Sequence, residues 1–186
     1  MIDPVTGWFE IVSFPASNPS SEVMATIFHD YWLSRYPRPL SITYDQGSEF
    51  KKDFDSLLEI YHLEKRPSTV KNPQSNGVIE RVHSTIKTML RCFNMKQLHL
   101  DPMDPFGEIL ARVAWAVRST YHTSLGASPG QLVFGRDMLL DMSYEPDWEA
   151  LRIKQQNKIN KSNIREVIPS MYIVYYGIYA LPFTYV

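Results

Sequence analysis

Two carboxylates stand in settings that suit chemistry. Leu40–Tyr44 (LSITY) is a run rich in strand formers that delivers Asp45 into Asp45-Gln46-Gly47-Ser48-Glu49-Phe50. An acid at the end of a short buried strand, followed by Gly, is held rigidly where a substrate can reach it. Glu80 lies in Asn72–Arg91 (NPQSNGVIERVHSTIKTMLR), a Pro- and Gly-punctuated loop running into an amphipathic helix. Ile79, Val82, Ile86, Met89, Leu90 and Phe93 recur at three- and four-residue steps and form the core face, whereas Glu80, Ser84, Lys87 and Arg91 line the opposite side. The 34 residues between the two acids leave room for a helix and a strand that bring them together. Carboxylates of this kind are ligands for hard divalent ions such as Mg²⁺. Each also has a plainer reading: Asp45 as the cap of a Gly-containing turn, Glu80 as a solvent-facing helical acid.

With Tyr121–Arg136 (YHTSLGASPGQLVFGR), the blocks YDQGSEF and NPQSNGVIER resemble the catalytic core of retroviral-type integrases, most closely those of gypsy-like LTR retrotransposons. The resemblance covers roughly residues 1–136 and continues more faintly to about Glu166. It implies an α/β, RNase H-like fold and a polynucleotidyl transferase that cuts and joins DNA strands, using two Mg²⁺ or Mn²⁺ ions held by three carboxylates. Asp45 would be the second of those acids and Glu80 the third, both catalytic and both metal-binding. Lys71, Asn72, Gln74, Ser75, Asn76, Arg81, Lys87 and Arg91 are the expected DNA-contacting residues, because amides, hydroxyls and cations near the acidic site suit backbone phosphate. DNA is therefore the expected partner, together with further copies of the chain, and the nucleus is the expected location for the protein of an active eukaryotic element. His83 follows Glu80 by three residues, and the resemblance gives it no ligand role.

The resemblance places the first acid on a central first strand, upstream of a second strand carrying Asp before a Thr and an aromatic residue. Ile2–Trp8 matches that second strand, so Asp3 is not the expected first acid, and the chain is expected to open one strand too late. An RNase H-like sheet lacking that strand exposes two rows of unpaired backbone groups. The expected loss exceeds the roughly 5–15 kcal/mol stability of ordinary domains. The sequence thus reads as a truncated integrase core, ancestrally a strand-transfer enzyme for DNA integration and inactive as given. The alternative is a non-catalytic DNA- or protein-binding remnant retained by a host.

The 186 residues, 44% of them hydrophobic, suit a single core with an appendage. A formal net charge of −1 hides a basic stretch, in which Lys65, Arg66, Lys71, Arg81, Lys87, Arg91 and Lys96 face Glu80 alone. Such a stretch suits phosphate, although a cationic helix face is often only a solvated one. The single Cys92 excludes an intrachain disulfide and a cysteine-based zinc knuckle, and the five His residues are too scattered for a ligand set. Nothing in the first fifteen residues, which carry Asp3 and Glu10, has the pattern of a secretory signal.

The elements that must position the acids follow from pattern. Trp8–Phe14 (WFEIVSF) is predicted to be a strand, and Asn18-Pro19 to cap a helix reaching about Arg35 with Val23, Ile27, Tyr31, Trp32 and Leu33 inward. A helix over about 52–61 buries Phe54, Leu57, Leu58 and Tyr61, and 63–68 is a short edge strand. Ile109, Leu110, Val113, Val117 and Tyr121 mark another helix, and Gly130–Phe134 a brief helical or irregular piece closing against the core. Residues 1–140 are the expected partial core and 141–166 a polar linker or loosely attached helix. Residues 167–186 are an uncharged tail expected to lie outside the core. The tail holds Pro169, Pro182 and five tyrosines, too broken for a span of about 20 apolar residues, so no membrane partner is expected.

Overall fold

A computed structural model describes residues 1–13, 19–67, 77–92, 103–161 and 171–173. Helices and strands mix around a small parallel sheet. In chain order the elements are α1 (Ser21–Phe28), β1 (Ser41–Tyr44), α2 (Asp53–Ile60), β2 (Glu64–Pro67), α3 (Gly77–Cys92), α4 (Pro105–Ser119), α5 (Pro129–Phe134), α6 (Trp148–Lys161) and β3 (Met171–Ile173).

β1 is the middle strand, with β2 on one edge and β3 on the other, both parallel to it. All four β1 residues are buried, as a continuous run of Ser, Ile, Thr and Tyr in a helix-covered parallel sheet requires. The edge strand β2 carries Glu64, Lys65 and Arg66 and is partly exposed. β3 lies within the segment expected outside the core. Its residues Met171, Tyr172 and Ile173 pair with Ile42, Thr43 and Tyr44, so one of the backbone rows expected to be open is hydrogen-bonded by an uncharged strand.

α1 begins at Ser21, and Ser20 is its cap, its hydroxyl accepting from the Val23 N–H. The predicted cap, Asn18, lies outside the described residues. The helix continues as a π-helical turn, His29–Leu33. Its inward residues are Met24, Phe28 and Trp32, with Ile27 and Leu33 partly buried. Val23, predicted inward, is exposed because the buried stripe runs through Met24 one residue later. α2 buries Phe54 and Leu58, with Leu57 and Tyr61 partly covered.

Trp8–Phe14 does not form the predicted strand over its described part. Ile2 and Phe9 make an isolated antiparallel bridge around a turn closed by the Asp3 carboxylate, which accepts from the Val5 and Thr6 N–H groups at 3.0 and 3.3 Å and from the Thr6 hydroxyl at 2.5 Å. Gly7, at φ +73°, completes that turn. Trp8 and Phe9 then point to opposite sides. Trp8 joins the core built from α1, β1 and α2, and Phe9 joins a second core with Ile2, Ile86, Ile109, Val113 and Val117 from α3 and α4. At Trp8 and Phe9 the apolar run connects the two cores.

α4 is capped by Asp104, whose carboxylate accepts from the Gly107 N–H at 2.8 Å, with Pro105 in its first turn. Its predicted stripe is buried except for Tyr121, which lies beyond the helix end and is exposed. α5 starts one residue earlier than predicted, at Pro129. Ser128 and Gln131 form a reciprocal capping box, and Gly135 ends the helix at φ +65°. α6 is polar, and Leu151 is its buried side chain among the described residues.

Candidate nucleic-acid interface and acidic site

Asp45 leaves the C-terminal end of β1 and is exposed. The strand behind it is anchored by rings: Tyr44 lies 5.5 Å from Phe50 and 5.4 Å from Phe54, and its hydroxyl donates to Asp55 at 3.4 Å. Burial, followed by the neighbouring Asp55 charge, raises the Tyr44 pKa, so the phenol stays protonated. An exposed acid is thus fixed to a buried strand. The Asp45 carboxylate accepts the Gln46 N–H at 2.9 Å, the contact expected of a turn cap. That single bond leaves acceptor capacity for a ligand.

Glu80 belongs to the first turn of α3, but its side chain, like that of Arg81, lies outside the described residues. Lys71, Asn72, Gln74, Ser75 and Asn76 also lie outside them. α3 packs on α4, burying Ile86 and partly burying Val82, Met89 and Leu90. The opposite face follows the predicted phase: Ser84, Lys87 and Arg91 are exposed, and neither cation forms an ion pair with a described residue. Farther upstream the basic stretch is partly neutralised. Lys65 pairs with Asp55 at 3.1 Å and Glu59 at 2.8 Å, which holds its pKa above the ordinary value. Arg66 is bound by both Glu64 oxygens at 2.9 and 3.0 Å. Among the described cations of this stretch, those outside ion pairs, Lys87 and Arg91, are on α3, whereas those on β2 are paired.

Among the described residues no three His, Cys, Asp or Glu side chains gather closely enough to hold a metal ion. Asp45 has the right oxygen chemistry, but the described carboxylates do not fit a two-metal centre. Asp3 is occupied by its own turn. His83, on the turn after Glu80, is half-buried, and burial, with repulsion from the N-terminal ammonium and Lys87, pushes its pKa down to about 4. It is therefore a neutral ring at pH 7.

An ionic cluster that pattern reading missed joins the two cores. Glu10 and Arg118 pair at 2.8 Å with side chains only 8% and 16% exposed. Arg118 also donates twice to the Phe9 carbonyl, at 2.6 and 3.0 Å, and stacks 4.5 Å from the Trp8 ring. The Tyr36 hydroxyl donates to the other Glu10 oxygen. The available signal was a lone Glu inside an aromatic run, but its partner lies more than a hundred residues away.

No family model matches the chain. Over 137 residues, 73% of this chain, it is 26% identical to the Gag-Pol polyprotein of Avian reticuloendotheliosis virus. Over 128 residues, 68% of the chain, it is 28% identical to the retrovirus-related Pol polyprotein from transposon 412 of Drosophila melanogaster. The chain spans 11% and 10% of the lengths of these curated relatives. Its fold matches a chain of the cryoEM structure of the simian T-cell lymphotropic virus intasome in complex with PP2A regulatory subunit B56 gamma. The TM-score is 0.51 at 18% identity, and the match covers 69% of this chain and 45% of that one. The homologues of this chain are thus retroviral and transposon Pol polyproteins, in keeping, at low identity, with the integrase-core resemblance carried by Asp45, Glu80 and Tyr121–Arg136.

Proposed function

We propose that this chain derives from the RNase H-like catalytic core of a gypsy-like retrotransposon integrase, that it keeps a DNA-contacting face on α3, and that as given it does not join DNA ends. The observation that carries the reading is the exposed Asp45 at the end of a fully buried central strand, in a chain whose homologues are Pol polyproteins. Asp45 and Glu80 are assigned as the second and third catalytic acids. Lys71, Asn72, Gln74, Ser75, Asn76, Arg81, Lys87 and Arg91 are assigned to DNA, with oligomerisation of the chain around it.

The inactivity rests on what lies beside Asp45. Ile173 is in register with Tyr44, the residue before Asp45, so the strand paired beside Asp45 is Met171–Ile173, which contains no carboxylate where the resemblance calls for an acid. Asp3 does not substitute, since its carboxylate is spent on the Val5–Thr6 turn. Groups that act as a catalytic unit lose nearly all their rate when one is removed.

The test is an end-joining assay on the 186-residue chain with Mg²⁺ or Mn²⁺, run beside duplex-DNA binding. The expected result is salt-sensitive binding without joined product. Metal-dependent joining that disappears in Glu80→Gln would overturn the inactivity and demand another local acid. Absence of DNA binding at low salt would remove the interface from the proposal and favour a protein-binding remnant.

A further inference from the structure

The edge of β1 opposite β2 is closed by three residues from the far end of the sequence, Met171, Tyr172 and Ile173. We propose that this edge is a strand-docking site, and that the uncharged tail of the chain is its ligand: a separable apolar segment able to bind in parallel even when supplied in trans. The inference is independent of any DNA chemistry.

Three observations carry it. β1 is buried at every position and β2 already occupies its other edge, so its remaining N–H and C=O groups need a strand that adds no charge. Residues 167–186 contain no side chain that is charged at pH 7, and 172–176 read Tyr-Ile-Val-Tyr-Tyr, all strong strand formers. The pairing is parallel and in continuous register, Ile42 with Met171 through Tyr44 with Ile173. A strand added to such an edge binds through its main-chain hydrogen bonds.

The experiment compares backbone amide exchange at Ser41–Tyr44 in the full chain and in a chain ending at residue 166, with and without a peptide of residues 165–176. The expected result is exchange at least about tenfold faster in the shortened chain, slowed again by the peptide. Successive strand residues direct their N–H groups to opposite sides, so one of Tyr172→Pro and Ile173→Pro must delete a ladder donor, and that peptide should fail to protect. If the shortened chain does not fold, cross-linking in the full chain decides. In a Cys92→Ser background, Thr43→Cys with Tyr172→Cys should cross-link within the monomer, and Leu40→Cys with Tyr172→Cys should not. Equal exchange in long and short chains, no protection by the unaltered peptide, or no cross-link between positions 43 and 172 would each overturn the proposal. Cross-linked dimers in place of monomers would also overturn it, by assigning the edge to a second copy.

Discussion

Glu10 and Arg118 show how much one buried pair can hold. Arg118 contacts the Phe9 carbonyl, the Trp8 ring and the Glu10 carboxylate together, so its removal deprives a nearly buried acid of its partner. Breaking such a pair from one side costs about 3–5 kcal/mol, because the remaining charge stays desolvated. Arg118→Met should therefore lower the denaturant midpoint strongly, whereas Arg118→Met combined with Glu10→Gln should recover part of the loss. A single variant as stable as the parent chain would show that the pair contributes nothing. His83 gives a pH dependence of definite sign. Its pKa is about 4 in the folded chain and about 6.5 when unfolded, so the unfolded state binds the extra proton between those values. Stability from the neutral ring is complete above about pH 6.5 and is lost as pH falls toward 4. With the ring partly in water, the loss between pH 7 and about pH 5 should be about 1 kcal/mol, and His83→Gln should remove that portion of the acid sensitivity. Identical pH profiles for the two proteins would rule it out. Residues of this kind are hard to read in a sequence, because Glu10 and Arg118 follow no local period and meet only through tertiary packing.

Among the elements, helices with a continuous stripe were legible and the segment with two masters was not. The α3 phase is right from Val82 to Arg91, since one face must meet α4 and a 3.6-residue repeat leaves Lys87 and Arg91 outside. α2, β1 and the edge strand β2 were equally plain from Phe54, Leu58, the Ser41–Tyr44 run and the short basic 63–68 stretch. Trp8–Phe14 has the composition of a strand, yet Trp8 and Phe9 serve different cores, a distribution that alternation alone cannot distinguish from a two-faced strand. The pairing of Met171–Ile173 was not legible for a related reason: a sequence without charge says nothing about which sheet edge it meets. The α3 face makes its own prediction. Lys87→Ala with Arg91→Ala should weaken duplex binding by similar factors on unrelated sequences and reduce the slope of log affinity against log salt by up to about 2, about one counterion for each phosphate that is no longer neutralised. Lys65→Ala should change binding far less, its charge being committed to Asp55 and Glu59. If Lys65→Ala were the more damaging substitution, the interface would have to move from α3 to β2.

At the scale of the whole molecule, the two acids belong to different cores. Asp45 is fixed to the core of α1, β1 and α2, and Glu80 rides on a helix whose buried side chains belong to the core of α3 and α4. The Ile2–Glu10 segment, with Trp8 in one core, Phe9 in the other and Arg118 against both rings, is therefore one link between the core of β1 and that of α3. Phe9→Ala should cost about 3–5 kcal/mol, as truncation of a buried aromatic generally does. The informative quantity is where that cost falls. If the segment is the coupling, amides of α3 and α4 should exchange about a hundredfold faster or more in the variant, since each 1.4 kcal/mol is about a factor of ten, while β1 and α2 keep most of their protection. Trp8→Ala should give the reverse pattern, loosening β1 and α2 first. Hydrogen exchange resolved by peptide distinguishes the cases directly. Equal acceleration in all helices and strands from both substitutions would mean that the two cores form a single cooperative unit, in which Asp45 and Glu80 are held in one frame regardless of the connector.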